Sequence, residues 1–365
     1  DSIIKTSPLP DWLVNNAGWW AARILTNSDF DFDPGYVKEE IYPCTDLRGT
    51  FQHKNSIDYP NIPGLSIGNQ GNSWCAHPDV VLQYNSYGFR GDEFQEQKHD
   101  IDFRIFAVGG STTYGSGVTD DETWPAYLQQ ILNEKITGKK IEVINAGILG
   151  SDSFEEAYKI RYMFKKFQPD LFIVYDGWND SFGQVKEGTL NPDITRSELM
   201  QSKKSPLQIW ISKNLTEFRT LYVLYPIFSH ILIASTMNEG LLIMNSEIWS
   251  SRWNDVCSEN NDDGIKTIIL LQPIVGTGNK KLSSEEKHHA DYFKQIKSRE
   301  QLEYHSKKFL IASCTASIDL RNTFDDVSEP IYFDGGHMTD LGNKIIAAKI
   351  YEEILPVVIT DIKNP

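Results

Sequence analysis

Arg104-Ile105-Phe106-Ala107-Val108-Gly109-Gly110-Ser111-Thr112-Thr113 is the stretch from which the rest of the chain can be read. Four apolar residues stop at two glycines, a serine and two threonines. A run that short, closed by glycine, suits a strand buried on both faces of a parallel sheet. Such sheets bind ligands outside the carboxyl ends of their strands, and Ser111 falls there, on a loop whose glycines let backbone N–H groups approach a substrate.

Working outward, four further runs have the same character: 141–145 (IEVIN), 170–175 (DLFIVY), 266–272 (KTIILLQ) and 316–320 (ASIDL). Helical periods alternate with them. Glu122 to Lys135 places Trp124, Tyr127, Leu128, Ile131 and Leu132 on one face, behind the acids Asp120 and Asp121. Phe154 to Phe167 repeats the pattern with Ala157, Ile160 and Phe164. Glu285 to Ile311 reads as one long polar helix, and Thr339 to Leu355 as a last amphipathic helix stopped by Pro356. Strand–helix alternation predicts an α/β fold, a three-layer α/β/α sandwich around a five-stranded, mostly parallel sheet. The interval 183–262 breaks the alternation. It is too long for a βα loop, so a helical insertion near the carboxyl edge is expected.

Four segments, each just after a predicted strand, carry the chemistry. They are Gly109-Gly110-Ser111-Thr112, Asn145-Ala146-Gly147-Ile148-Leu149-Gly150-Ser151, Asp176-Gly177-Trp178-Asn179-Asp180 and Asp334-Gly335-Gly336-His337. A serine hydroxyl is a weak nucleophile and needs a base. His337, in a loop leading into the final helix, suits that task, and Asp334 can reach back to its second ring nitrogen. Acyl transfer also needs donors for the oxyanion. The N–H of Ser111, the N–H of Gly150 and the side-chain amide of Asn179 are the candidates, with Gly147 as the other glycine in reach. Each segment alone is weak; the four in this order are not.

From about 101 to 356 the chain thereby resembles the SGNH (GDSL-type) serine hydrolases, named for a Ser, Gly, Asn and His in four blocks. The resemblance implies Ser111 as nucleophile, Gly150 and Asn179 as oxyanion donors, and Asp334 with His337 completing a triad. Asn85-Ser86-Tyr87-Gly88-Phe89-Arg90-Gly91, ahead of the first strand, resembles a broad bacterial and archaeal branch of the family. One departure is Gly110, where the Gly-Asp-Ser block has Asp. The implied activity is hydrolysis of a short acyl ester, acetyl among the options, on a carbohydrate or small molecule. The alternatives are acyl transfer to a glycan, or a non-catalytic surface-binding protein on the same fold. No cofactor or metal is called for. Trp178 and Arg90 are candidate substrate-binding residues; Arg90 can equally be structural or order the loops, and Trp178 can equally pack on the insertion.

Other chemistries fit poorly. Thr113 stands where a GxSxG elbow needs glycine, and no GK[ST] follows the glycines as in a phosphate loop. His288-His289 reads as a solvated pair rather than a metal site. Asp176 and Asp180 as a glycosidase pair compete with the coherent role of Asn179.

The 365 residues suit one large α/β domain with additions, or two modest domains. With 9 Trp, 16 Tyr and 18 Phe there is material for a sizeable core. The net charge of −15 would repel phosphate backbones and argues against nucleic acid. No apolar run reaches the ~18 residues of a membrane span; Leu221 to Ala234 is the nearest and holds Pro226 and His230. Cys44, Cys75, Cys257 and Cys314 form no CxxC pair. They allow Cys44–Cys75 and Cys257–Cys314 disulfides in an oxidising compartment, or four buried thiols. Residues 1–45 form a Trp-rich unit (Trp12, Trp19, Trp20) that resembles a helical motif of archaeal surface proteins, or else docks as a plain helix. That resemblance makes an extracellular or cell-surface location the expectation. Residues 46–100 read as a loop-rich extension packed on the core, and 101–358 as the hydrolase domain with the insertion at about 183–262. Oligomeric state is not legible.

Overall fold

The computed structural model describes residues 85–98 apart from 86, 101–182 apart from 149, and 238–363 apart from 296 and 310. The Trp-rich unit, Cys44, Cys75 and residues 183–237 of the expected insertion lie outside the described residues.

The elements in chain order are β1 (Phe103–Gly109), α1 (Ser111–Tyr114), α2 (Trp124–Lys135), β2 (Ile141–Gly147), α3 (Ser153–Lys159), β3 (Leu171–Asp176), α4 (Glu239–Asp262), β4 (Lys266–Leu271), α5 (Ser284–Gln295), α6 (Ser298–Lys307), β5 (Ala316–Asp319) and α7 (Asp340–Lys363). All strand pairs are parallel, in the order β2-β1-β3-β4-β5. Every residue of β1 and β3 is buried, as strands covered on both faces require. The chain leaves β1 towards one edge and β3 towards the other, so a switch point opens at their carboxyl ends. Right-handed crossovers then send helices to opposite faces. Accordingly α2 packs with α7, and α3 with α4. Ligands in open α/β sheets sit at such a switch point, and Ser111 and Asn179 follow the two strands that make it.

Local chemistry explains the boundaries. Thr123 caps α2 by accepting the Ala126 N–H, and Pro125 falls in the first turn where its missing N–H costs nothing. Asp152 caps α3 through the Glu155 N–H. The period expected to run to Phe167 as one helix instead widens into a π-turn at Ile160–Phe164 and tightens into a 3₁₀ turn at Lys165–Phe167. The expected long helix 285–311 is two helices, broken at Lys297, whose φ of 60° is left-handed. Pro356 does not stop α7. Ile346, Ile350, Ile354 and Val358 are all buried at a spacing of four, so continuing the apolar stripe offsets the lost hydrogen bond.

The last part of the interval 183–262 also differs from expectation. Its residues 239–262 are the crossover helix α4 between β3 and β4, buried through Leu242, Trp249, Trp253 and Val256. The described end of the extension packs on the core. Phe89 and Phe94 join Phe106, Phe164 and Phe167 in one aromatic cluster under the sheet. Cys257 of α4 is disulfide-bonded to Cys314 before β5. No helix among the described residues is long and apolar enough to cross a membrane.

His305 on α6 is fully buried, stacked on Trp249 at 4.6 Å, with neither ring nitrogen hydrogen-bonded. Burial, helped by the charge of Arg321, pushes its pKa down to about 3 from 6.5. Below pH 6.5 the unfolded chain therefore binds a proton that the folded chain refuses, and stability falls as pH falls. By pH 5 the loss is about 2 kcal/mol at 1.36 kcal/mol per unit. His305→Phe keeps the stacking and removes the titration. Its urea midpoint is expected to shift less between pH 7 and pH 5 than the parent's, and an equal shift would refute this assignment.

Candidate active site

The site is assembled from the carboxyl ends of β1, β2 and β3 and from the loop before α7. β1 delivers Gly109-Gly110 and then Ser111 as the first residue of α1. The loop after β2 is tied to this turn by the Ile148 N–H, which donates to the Gly109 carbonyl at 2.9 Å. Gly147 closes β2 with its flank filled by the backbone of Tyr114. Gly150 sits further out, at φ 69°, with open space where a side chain would go. The left-handed backbone favours glycine at 150.

Asn179 comes from the loop after β3. Its Nδ2 donates to the Ser151 carbonyl at 2.6 Å, which leaves the second amide hydrogen for another acceptor. The same nitrogen lies against the turn before the nucleophile: a β-carbon on Gly110 would stand 2.4 Å from it. This accounts for Gly110 in physical terms. With the Asn179 amide where it is, any side chain at 110, the family's Asp included, would have to displace it.

His337 comes from the loop before α7. Its Nε2 lies 2.8 Å from Ser111 Oγ, and its Nδ1 is hydrogen-bonded to Asp334 Oδ2. The other oxygen of Asp334 accepts the N–H groups of Gly336 at 2.8 Å and His337 at 2.7 Å. One carboxylate thus fixes both the ring and the loop that carries it. Burial raises the Asp334 pKa, but the His337 ring and the two backbone donors outweigh it and hold the carboxyl below its ordinary value. The imidazole is packed on two sides, with Phe333 stacked at 5.9 Å and Trp178 edge-on at 5.0 Å.

The two candidates for substrate contact, Arg90 and Trp178, are both buried. Arg90 is 4% exposed, and its guanidinium is spent on protein. It donates to the carbonyls of Tyr114 (2.8 Å), Gly115 (2.7 Å) and Val118 (2.7 Å) and pairs with Asp120 at 2.5 Å. It therefore caps α1 and orders the loop behind Ser111, the structural reading of this residue. Trp178 is 6% exposed and packs on His337 and Gly336.

Sequence reasoning did not single out three contributors. Asn145 donates to the Tyr114 carbonyl at 3.3 Å and accepts from Gly147 at 3.1 Å, joining β2 to α1. Its place at the end of the IEVIN run was the available signal. Phe333 precedes Asp334 and had no spacing to mark it. Asp176 was visible only as a carboxylate near Asn179. Among the described residues, no group of three or more His, Cys, Asp or Glu is set to hold a metal ion.

Comparison with known proteins adds the following. Residues 107–219 match the model of the GDSL-like Lipase/Acylhydrolase family. A search of the curated proteins finds no match. Similar solved structures include the acetyl xylan esterase AlAXEase, at 14% identity and TM-score 0.41, covering 69% of this chain and 100% of that one. LAE5, an α/β hydrolase from the metagenome of Lake Arreo, is 13% identical with TM-score 0.39, covering 70% and 95%. A catalytic mutant of the acetylxylan esterase Axe2 from Geobacillus stearothermophilus is 12% identical with TM-score 0.39, covering 70% and 96%.

Proposed function

We propose that this chain, whose residues 107–219 match the GDSL-like Lipase/Acylhydrolase family, is a serine hydrolase that removes a short acyl group, acetyl among the options, from a carbohydrate or other small polar ester. The observation that carries the reading is the chain of contacts from Asp334 through His337 to Ser111, with Nε2 2.8 Å from Oγ.

In this mechanism Ser111 Oγ bonds to the ester carbonyl carbon as its proton passes to His337 Nε2. Asp334, kept ionised, stabilises the imidazolium and holds the ring with Nε2 towards the serine. The carbonyl electron pair moves onto oxygen. There the Asn179 amide and the N–H groups of Ser111 and Gly150 receive it. The electron pair returns, the carbon–oxygen bond to the alcohol breaks, and His337 hands its proton to the leaving oxygen. Water then repeats the sequence on the acyl-enzyme, releasing the acid and restoring Ser111.

The loops that build the site consist largely of Gly, Ser, Thr, Asn and Asp, which supports a polar alcohol over a lipid. The Cys257–Cys314 disulfide supports an oxidising compartment and hence an exported enzyme. A fluorophosphonate probe is expected to label Ser111, and p-nitrophenyl acetate is expected to be turned over faster than the laurate. A folded protein that takes no label would point to a binding protein. Acyl transfer to an added sugar in place of free acid would make it a transferase.

A further inference from the structure

Asp176 closes β3 three residues before Asn179 and takes no part in the reaction above. It is buried at 2% exposure, and its Oδ2 accepts the indole N–H of Trp249 at 2.8 Å and of Trp253 at 3.1 Å. Asp180, four residues on, closes the same turn. Asp180 in turn accepts the Ser153 N–H at 2.8 Å and the Ser153 hydroxyl at 2.6 Å. Arg252 donates to that hydroxyl at 2.6 Å. Trp249, Arg252 and Trp253 share one face of α4 by their spacing, so a single helix face grips both ends of the turn from Asp176 to Asp180.

Burial raises both carboxyls, and for Asp180 the charges of Asp176 and Asp152 add to it against Arg252. Two buried acids are a costly way to hold a turn that apolar residues could pack with equal stability. What they add is direction, since each bond defines where the backbone lies. Between them sit Trp178, edge-on to His337, and Asn179, wedged beside Gly110.

We propose that Asp176 is a positioning residue: held by Trp249 and Trp253, it sets the turn 177–179 so that the Asn179 amide meets the oxyanion as Ser111 attacks. This rests on the reading of Asn179 as an oxyanion donor.

Steady-state kinetics on p-nitrophenyl acetate separate the possibilities. Asn179→Ala is expected to lower kcat by about 10²- to 10³-fold. Asp176→Leu is expected to lower kcat by about 10²-fold with KM unchanged. Asp176→Asn keeps an oxygen that accepts from the indoles, so it is expected to stay within about threefold of the parent. In the double variant Asp176→Leu/Asn179→Ala, kcat is expected to match Asn179→Ala alone, because Asp176 acts through Asn179. Multiplying losses, or an Asp176→Asn as poor as Asp176→Leu, would reduce Asp176 to a structural residue. An Asn179→Ala of undiminished kcat would instead remove the donor reading beneath the proposal. Should Asp176→Leu fail to fold, Trp253→Phe removes one donor and keeps the ring. Its kcat loss, expected at about fivefold, should vanish in the Asn179→Ala background; no loss in the parent background would overturn the proposal.

Discussion

Replacing Ser111 with alanine is expected to lower kcat for a short p-nitrophenyl ester by about 10⁵- to 10⁶-fold, with KM little changed. The substitution removes the only atom that bonds to the substrate, while the loops that would bind it keep their own ties. Gly109 still accepts from Ile148, and Asn179 still donates to Ser151. The His337 ring stays held by Asp334 and packed between Phe333 and Trp178. His337→Ala should cost nearly as much, and the pair together little more than either, since a base without its nucleophile contributes nothing. Purified Ser111→Ala that kept kcat within about tenfold of the parent would place the chemistry on another residue.

Asp334→Asn is expected to lower kcat by about 10⁴-fold while leaving the fold intact. The reason lies in the division of labour between the carboxylate oxygens. The amide oxygen of Asn can go on accepting from Gly336 and His337, so the loop stays in place. The amide nitrogen then faces His337 Nδ1, a donor where an acceptor was. The ring answers by carrying its proton on Nε2, which cannot take one from Ser111. It also loses the ionised group, held below the ordinary carboxylate range, that would stabilise an imidazolium. Unchanged thermal unfolding with fluorophosphonate labelling slowed in parallel with kcat would separate this from damage to the loop. A loss below about 10-fold would mean that Asp334 only shapes the backbone.

Much of the sheet was legible because its signal is local. The apolar runs at 103–108, 141–145, 170–175 and 266–272 are strands within a residue or two, since a strand buried on both faces must be apolar whatever its neighbours are. Misread boundaries share one cause. Pro356 and the 285–311 run follow strong local preferences, yet a buried stripe through Val358 carried the helix past proline, and Lys297 broke a period that looked continuous. Residues 239–262 looked like insertion because their apolar positions are interrupted by Asn245, Ser246, Arg252 and Asn260, all buried. Their polar partners lie on other elements, such as Gln301 for Asn245, where periodicity cannot reach.

By itself the sequence determined which residue types stand at the carboxyl ends of the strands, and therefore which chemistry the chain can attempt. Ser111 and Asn179 stand out by that position, Asp334 and His337 by their place in the loop before the last helix. Only the tertiary structure decided what each of them touches. It brings His337 to within 2.8 Å of a serine 226 residues away, turns Arg90 inward to cap α1, and sets Asp176 under two tryptophans of α4. The difference is physical. Hydrophobic burial is additive and leaves its mark residue by residue, whereas a hydrogen bond is directional and exists only once packing has brought donor and acceptor together.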